Sequence, residues 1–335
     1  MLTYTLRRLM LAIPTLLVIS LVIFLLVDLA PGSPMSEIPL TVPPDVRLKM
    51  IAAMGADQPV FVRYILWLRQ FFWVEPAGLF NSWFGTHFAE GQQRILSWQS
   101  RSPVFTVIGQ RIPQTLTVIG TAYLVGILIA LPIGIYSAYR QYSVFDQLGT
   151  LFAMIGFSVP TFFSGTLLII IFAVWLGWFP TKYDTMMSVT DWPSFVKQIR
   201  QMTLPVMTLG LANAATISRY MRSSMLENMG ADYVRTARAK GMPERVVVLK
   251  HVLRNSLIPV VTVIALGIPS IFGGAIITEN LFGVNGIGAA LILAIHANDL
   301  PMVQTLAFIF AVLIVLFNLL ADVLYGFLDP RIRYD

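Results

Sequence analysis

The stretch that decides how this chain is read is Asp232-Tyr-Val-Arg-Thr-Ala-Arg-Ala-Lys-Gly241-Met-Pro-Glu-Arg-Val246, which runs on to His251-Val-Leu-Arg-Asn-Ser-Leu-Ile-Pro259. It is the one long polar break in an otherwise membrane-like half, dense in cations and bounded by apolar segments. Membrane proteins concentrate Lys and Arg in cytoplasmic loops, so the break belongs on the cytoplasmic face. Its punctuation predicts two short helices joined at a glycine. Asp232, Arg235 and Arg238 fall at i, i+3 and i+6 on one charged helical face, with Tyr233, Val234 and Ala237 elsewhere around it. Gly241 suits the position just past a helix C-terminus, where a left-handed residue ends the helix at little cost. Pro243 fits the first turn of a second helix, and Glu244 suits its positive N-terminal dipole. That helix, over roughly 243–255, places Arg245, Lys250 and Arg254 near the membrane surface. A basic loop resting on anionic lipid accounts for the charge. It does not account for the helix–Gly–helix punctuation, which points to a soluble protein that holds the element.

Composition sets the frame. Of 335 residues, 56% are hydrophobic and only 12% charged, against about a quarter charged in ordinary soluble domains. The mean hydropathy is +0.74 and the isoelectric point about 9.6. A basic balance often signals nucleic acid, but cations held in membrane loops explain the +6 charge more simply. The chain has no cysteine, so it has neither a disulfide framework nor a thiolate metal site. Three scattered histidines, His87, His251 and His296, argue against a His-based metal site. The nucleotide-binding pattern GxxxxGK[ST] is absent, so any ATP chemistry falls to another chain.

A bilayer-spanning helix needs roughly 20 mostly apolar residues. Six segments qualify, over about 9–30, 116–139, 148–175, 204–221, 257–278 and 303–324, the fourth diluted by Pro205, Asn213 and Thr216. With the N-terminus inside, Arg7, Arg8, Arg140, Arg219, Arg222, the cations of the polar break, Arg331 and Arg333 fall in the cytoplasm. Most of the remaining cations belong to the long segment before the second span, and long translocated segments weigh little in the rule. The expectation is N-in, C-in. Arg7-Arg8 before an apolar run also fits a signal peptide, but the run exceeds the usual signal core and lacks an A-x-A-like cleavage site. It is read as a retained helix.

Residues 31–102 form an extracytoplasmic insertion rich in proline and aromatic residues. Val60, Phe61, Tyr64, Ile65, Trp67, Leu68, Phe71 and Phe72 recur at near-helical spacing and make one apolar face. A lid helix, packed on the membrane domain or lying in the interface, is the simpler reading, and a docking surface for a substrate-delivering protein the sharper one. The sequence leaves both open. In the second span Ala122, Gly126, Ala130, Gly134 and Ala138 place a small residue at every fourth position, a stripe that lets another helix approach closely. Pro132, Pro160, Pro205 and Pro269 predict kinks or breaks. Ordinary polytopic packing and a bundle that opens around a pathway both fit. Asp322 and Glu279 lie near opposite interfaces, where a partner such as Arg219 or water satisfies them, so both are assigned structural roles.

Tyr233-Val-Arg-Thr-Ala-Arg-Ala-Lys-Gly241, followed at long spacing by His251-Val-Leu-Arg-Asn-Ser-Leu-Ile-Pro259, resembles the EAA-type loop of ABC importer permeases. The general pattern would set its glutamate at Arg235 and its alanines at Thr236 and Ala237, and the Arg-Thr-Ala form resembles the dipeptide/oligopeptide/nickel permease family. Met1-Leu-Thr-Tyr-Thr-Leu-Arg-Arg-Leu9, Asp28-Leu-Ala-Pro-Gly32, Gly55-Ala-Asp-Gln-Pro59 and Ser102-Pro-Val-Phe-Thr-Val-Ile-Gly-Gln-Arg-Ile-Pro113 are similar to the same family. So are Ser158-Val-Pro-Thr-Phe-Phe163, Glu279-Asn-Leu-Phe-Gly-Val-Asn-Gly-Ile-Gly288 and Asp329-Pro-Arg-Ile332. Asn285 stands where the family often has proline, and the insertion departs most between 72 and 100.

The resemblance implies an all-α polytopic membrane protein of the type I ABC importer transmembrane fold, in a bacterial or archaeal cytoplasmic membrane. Residues 1–30 form its N-terminal helix, 31–102 the insertion, and 103–335 the core transmembrane domain with a coupling loop over 225–256. It implies half of a translocation pathway, completed by a second homologous permease. Two ABC ATPase subunits bind ATP and Mg, an extracytoplasmic binding protein delivers substrate, and this chain binds no cofactor of its own. On that reading Asp232, Tyr233, Arg235, Thr236, Ala237, Arg238, Lys240, Gly241 and Glu244 couple the permease to an ATPase, and no catalytic residue is assigned. Peptides are the family's main cargo, with nickel, opines and oligosaccharides carried by similar members. A secondary transporter or channel is the alternative, but neither an internal repeat nor a buried charge relay stands out.

Overall fold

The computed structural model describes residues 2–30, 58–89, 91–273 and 276–328. The prolines from Pro31 to Pro44, most of the Gly55-Ala-Asp-Gln-Pro motif, Gly274, Arg331, Arg333 and Asp329-Pro-Arg-Ile lie outside the described residues. In chain order the helices are α1 (Leu2–Asp28), α2 (Val60–Arg69), α3 (Glu75–Phe84), α4 (Val104–Thr115), α5 (Thr121–Tyr139), α6 (Val144–Ser158) and α7 (Thr161–Leu168). They continue as α8 (Trp192–Met229), α9 (Asp232–Ala239), α10 (Leu253–Gly273), α11 (Ile276–Phe282), α12 (Ile287–His296) and α13 (Leu300–Leu328). Wide π-helical turns join α2 to α3 and α4 to α5, extend α7 as far as Trp175, and lead into α10 over Val247–Val252. Among the described residues the only β-pairing is one isolated bridge, Leu96 with Pro103.

Among the described residues, four helical runs are long and apolar enough to cross a membrane: Thr5–Asp28, Val104–Tyr139, Glu244–Pro269 and Leu300–Val323. Two bent pairs raise the number to six if each counts as one span. The expected map meets this list with three differences. The third span is not one helix but two, α6 and α7 with its extension, which turn through 107° at Val159-Pro160. Proline ends α6 there because it disfavours helical backbone in the residue before it. The segment 204–221 is helical, but it sits inside the 38-residue α8, whose composition keeps it off the list of apolar runs. Gln201, Thr208, Ser218 and Ser224 are all buried on it. The second bent pair, α11 with α12 at 87°, takes up the end of the expected fifth span at 276–278 and the outer segment after it, while the fifth apolar run itself begins earlier, over Glu244–Pro269. Helices continue through Pro132, Pro205 and Pro269, so Pro160 alone of the four expected positions marks a break between elements.

The chain forms two compact units, one of residues 1–10, 113–289 and 313–335, the other of residues 11–112 and 290–312. The first is organised around α8. The predicted small-residue stripe of α5 is buried at all five positions. A Cβ on Gly126 would lie 2.9 Å from the Gly210 carbonyl oxygen, and one on Gly134 would lie 2.6 Å from Met221 Cβ. Hydrogen at these positions is therefore what lets α5 and α8 touch backbone to backbone. Asp191 and Ser194 close the start of α8 with reciprocal hydrogen bonds of 2.9 and 3.0 Å, a capping box.

In the second unit the predicted apolar face of the insertion divides. Tyr64, Trp67 and Phe71 point inward at i, i+3 and i+7, whereas Phe61, Ile65 and Phe72 are exposed. Tyr64 and Ser20 of α1 share a hydrogen bond of 2.8 Å, Arg63 pairs with Asp28 at 2.6 Å, and Trp67 and Phe71 pack edge-on against Phe308 of α13. The lid helix therefore packs on two of the apolar runs. Below it the buried Glu75 accepts from Arg94 at 2.6 Å and from the Ile95 amide at 2.9 Å. Asp299 gathers Ser97 and the amides of Trp98 and Gln99 at the start of α13.

Candidate functional site

The polar break folds as its chemistry predicts at the first helix and differently at the second. α9 ends at Ala239 and Gly241 takes φ +74°. The Gly241 amide donates to Arg238 O at 2.9 Å and the Met242 amide to Ala237 O at 3.3 Å, the paired bonds of a Schellman closure. Met242 then packs with the apolar cluster that holds α9. No separate second helix stops near residue 255. The chain is helical from Glu244 through the π-turn and on along α10, so Arg245, Lys250 and Arg254 ride on the start of a long apolar run.

The two faces of α9 have different jobs. Val234 and Ala237 are buried and pack with Met221, Met225, Val247, Val248 and Val252. Ala237 thus anchors the element rather than presenting itself to a partner. Asp232, Arg235, Thr236 and Lys240 are exposed, with Arg235 at 3.5 Å from Asp232 and the Thr236 hydroxyl donating to Asp232 O at 2.9 Å. The Tyr233 hydroxyl donates to Asn228 Oδ1 at 2.6 Å and ties α9 back to the end of α8. Arg238 does not share the open charged face with Arg235. It folds across the glycine turn and donates twice to Glu244, at 2.7 and 3.1 Å. Glu244's hydrogen bond raises the Arg238 guanidinium above its already high value. Glu244 therefore answers Arg238 as well as the dipole of the helix it begins.

Two polar contacts that sequence reasoning missed tie together the helices that flank this element. Ser224 Oγ donates to Ser256 O at 2.9 Å, while the Ser256 hydroxyl, bonded to Val252 O at 2.9 Å, also lies 3.2 Å from Ser224 O, so α8 and α10 are held together there. Asp146, buried in the first turn of α6, receives two bonds from Arg222 of α8, at 2.6 and 2.8 Å, and a third from the Tyr142 amide at 2.9 Å. An acid two residues into an apolar helix was a legible signal, but nothing in the chain said which of the cations it meets.

The remaining ionisable groups also find other partners than expected. Asp322 pairs with Arg8 at 3.0 Å, while Arg219 lies 4.5 Å from the centre of the Phe157 ring. Glu279 is fully buried. It accepts from the Thr115 hydroxyl at 2.8 Å and from the Ala289 amide at 2.8 Å, while Thr115 accepts from the Ile287 amide at 2.9 Å. A Cβ on Gly286 would collide with the Glu279 carboxylate and the Thr115 hydroxyl, and one on Gly288 would lie 2.9 Å from Glu279 Oε2. The Glu279-to-Gly288 motif is thus a carboxylate cradle that only glycine leaves open.

Residues 130–334 match the family model of the binding-protein-dependent transport system inner membrane component, and residues 1–119 match the model of the N-terminal part of such membrane components. The chain belongs to this family. It is 35% identical over 342 residues to the oligopeptide transport system permease protein AppB of Bacillus subtilis, with 100% of both chains covered. It is 37% identical over 338 residues to the glutathione transport system permease protein GsiC of Salmonella typhimurium, again with 100% of both covered. The dipeptide transport system permease protein DppB of Escherichia coli is 34% identical over 355 residues, covering 100% of this chain and 99% of DppB. This permease is therefore a multi-pass inner-membrane subunit of an ABC importer, as the resemblance of the 233–259 and Glu279 segments implied. Its family is one of transporters and not of enzymes.

Proposed function

We propose that this permease forms half of a pathway that carries peptides into the cell, and that residues 232–244 couple it to an ATPase. The observation that carries the coupling is the two-sided α9, whose apolar face is locked to α8 and α10 while Asp232, Arg235, Thr236 and Lys240 stand free of the bundle. A second homologous permease completes the pathway, and each permease holds one ATPase. ATP and Mg bind in those partner subunits, and an extracytoplasmic binding protein delivers the cargo. The cargo class rests on relatives named for oligopeptide, glutathione and dipeptide transport.

The proposed N-in, C-in orientation rests on the charge map, and ion pairing supports the sharing of faces among span ends that the map requires. Arg8 with Asp322 and Arg222 with Asp146 join groups that the charge map sets inside, and Arg63 with Asp28 joins groups it sets outside. Each pair thus stays on one side of the membrane. In this frame a push on α9 reaches α8, a rod of about 57 Å at 1.5 Å per residue. The close glycine contacts of α8 with α5 then pass the movement on. ATP shifts the equilibrium between inward-open and outward-open bundles by its differential affinity for the two.

The test is reconstitution of the whole complex in liposomes with ATP inside and binding protein outside. ATP-dependent accumulation of trialanine is the expected result. Uptake that needs an ion gradient and no ATP contradicts the reading.

A further inference from the structure

In the first unit, residues of α4, the α4–α5 turn, α8 and the loop between α7 and α8 line a cleft of about 580 Å³, within the size range of small-molecule sites. Its polar lining is made of amides and hydroxyls, among them Gln114, Thr117, Thr121, Tyr183 and Gln198, and no charged side chain lines it. The loop that forms one wall is fastened in place. The Tyr183 amide donates to Phe282 O at 2.8 Å, the Asp184 amide to Gln201 Oε1 at 3.0 Å, and Gln201 Nε2 to Gln198 Oε1 at 2.7 Å. Gln198 Nε2 in turn donates to the Tyr183 hydroxyl at 2.5 Å.

This network leaves one acceptor and one donor over. Gln114 spends its Nε2 on Thr185 O at 3.1 Å, while its Oε1 is buried with no hydrogen-bond partner among the described residues. Buried acceptors are rarely left open, because an unmade bond there costs the desolvation of the group. The Tyr183 oxygen accepts from Gln198, which leaves its proton to give. Gln114 lines the cleft, with its unpaired Oε1 sealed in the wall; a turn of the side chain brings that acceptor to the cleft, where with the Tyr183 proton it matches the N–H and C=O of a peptide unit.

We propose that this cleft is a transit site that holds peptides by their main chain, with Gln114 Oε1 accepting a peptide N–H and the Tyr183 hydroxyl donating to a peptide carbonyl. The proposal rests on the peptide reading above and on the orientation that sets residues 113–121 and 183–202 at the outer ends of their helices. Because no fixed charge lines the site, it ignores the charge of the cargo's side chains. Selectivity for those falls to the binding protein.

The test measures ATP-driven uptake of three probes, trialanine, Ala-Lys-Ala and Ala-Glu-Ala, by the reconstituted complex carrying Gln114→Leu or Tyr183→Phe. Co-purification of the ATPases serves as the check on assembly. Loss of one neutral hydrogen bond predicts kcat/KM lower by roughly fivefold to tenfold, to the same extent for all three probes. Should Gln114→Leu fail to assemble, Tyr183→Phe, which removes a single oxygen, carries the test. Uptake unchanged in an assembled variant, or a loss that follows the charge of the middle residue, overturns the site. No uptake of any probe by the wild-type complex overturns the peptide reading, and the site's ligand falls with it.

Discussion

Arg238 and Glu244 face each other across Gly241 and share two hydrogen bonds of 2.7 and 3.1 Å, so a charge expected on the docking face also braces the turn of the proposed coupling element. Both side chains remain about two-fifths exposed. A pair this open contributes about 0.2–1 kcal/mol. Its value lies in shape, since it fixes the angle at which the chain leaves α9. Arg238→Glu sets two carboxylates against each other and is expected to weaken co-purification of the ATPase. The double change Arg238→Glu with Glu244→Arg should restore it. Failure of the exchange to rescue would return Arg238 to the docking face.

Arg235 makes no such brace. Its side chain is 75% exposed and its guanidinium stands 3.5 Å from Asp232. Arg235→Glu should therefore reduce recovery of the ATPase while the permease itself purifies at wild-type yield. The salt dependence of that recovery is the second readout, since exposed charge pairs are screened within about 10 Å at 0.1 M salt.

Gly241 has nothing within 4 Å of a hypothetical Cβ, so space is not what demands glycine there. The demand comes from φ +74°, where a β-branched residue is strained by about 1–2 kcal/mol. Gly241→Val should leave insertion and expression intact and lower ATP-driven uptake, because the Schellman closure opens and α9 swings. Normal uptake at normal expression counts against the coupling role.

Glycines that serve packing should respond in the opposite way. Gly134→Leu drives a side chain into Met221 and the Ser218 carbonyl, and Gly286→Ala drives a methyl into the Glu279 carboxylate. Each should lower the yield and thermal midpoint of the purified complex, in keeping with about 1–3 kcal/mol for overpacked sites. Gly120→Ala, which meets nothing within 4 Å, is the control and should change neither. Equal behaviour of all three would remove the close-approach argument.

The sequence was legible wherever a local rule carried the structure. Gly241 closing a helix and the small-residue stripe of α5 follow from helical geometry within one segment, whereas the apolar face expected in the insertion held for Tyr64, Trp67 and Phe71 and not for Phe61, Ile65 and Phe72. What stayed hidden depends on which distant segment arrives. Nothing near Asp146 names Arg222, 76 residues away, and nothing near Ser224 names Ser256, 32 residues away. Glu279 was assigned an interface, because a lone acid between apolar runs looks solvated until Thr115 and the Ala289 amide are brought to it. The bent pair α11–α12 was missed for a related reason. Its two helices are each too short to read as spans, and the glycines between them read as a loop until the buried carboxylate they enclose is seen. The cleft beside Gln114 is also invisible in sequence, being made of amides and hydroxyls that are ordinary one by one.

The most direct test of the central claim uses the absence of cysteine from this chain. Thr236→Cys puts a single thiol on the exposed face of α9 without touching Val234 or Ala237. In membranes holding the assembled complex, a short bifunctional thiol reagent should link that position to a cysteine-bearing ATPase subunit, with ATP changing the yield. An assembled, ATP-hydrolysing complex in which Thr236→Cys links only to lipid or stays free would contradict the assignment of residues 232–244 as the coupling element.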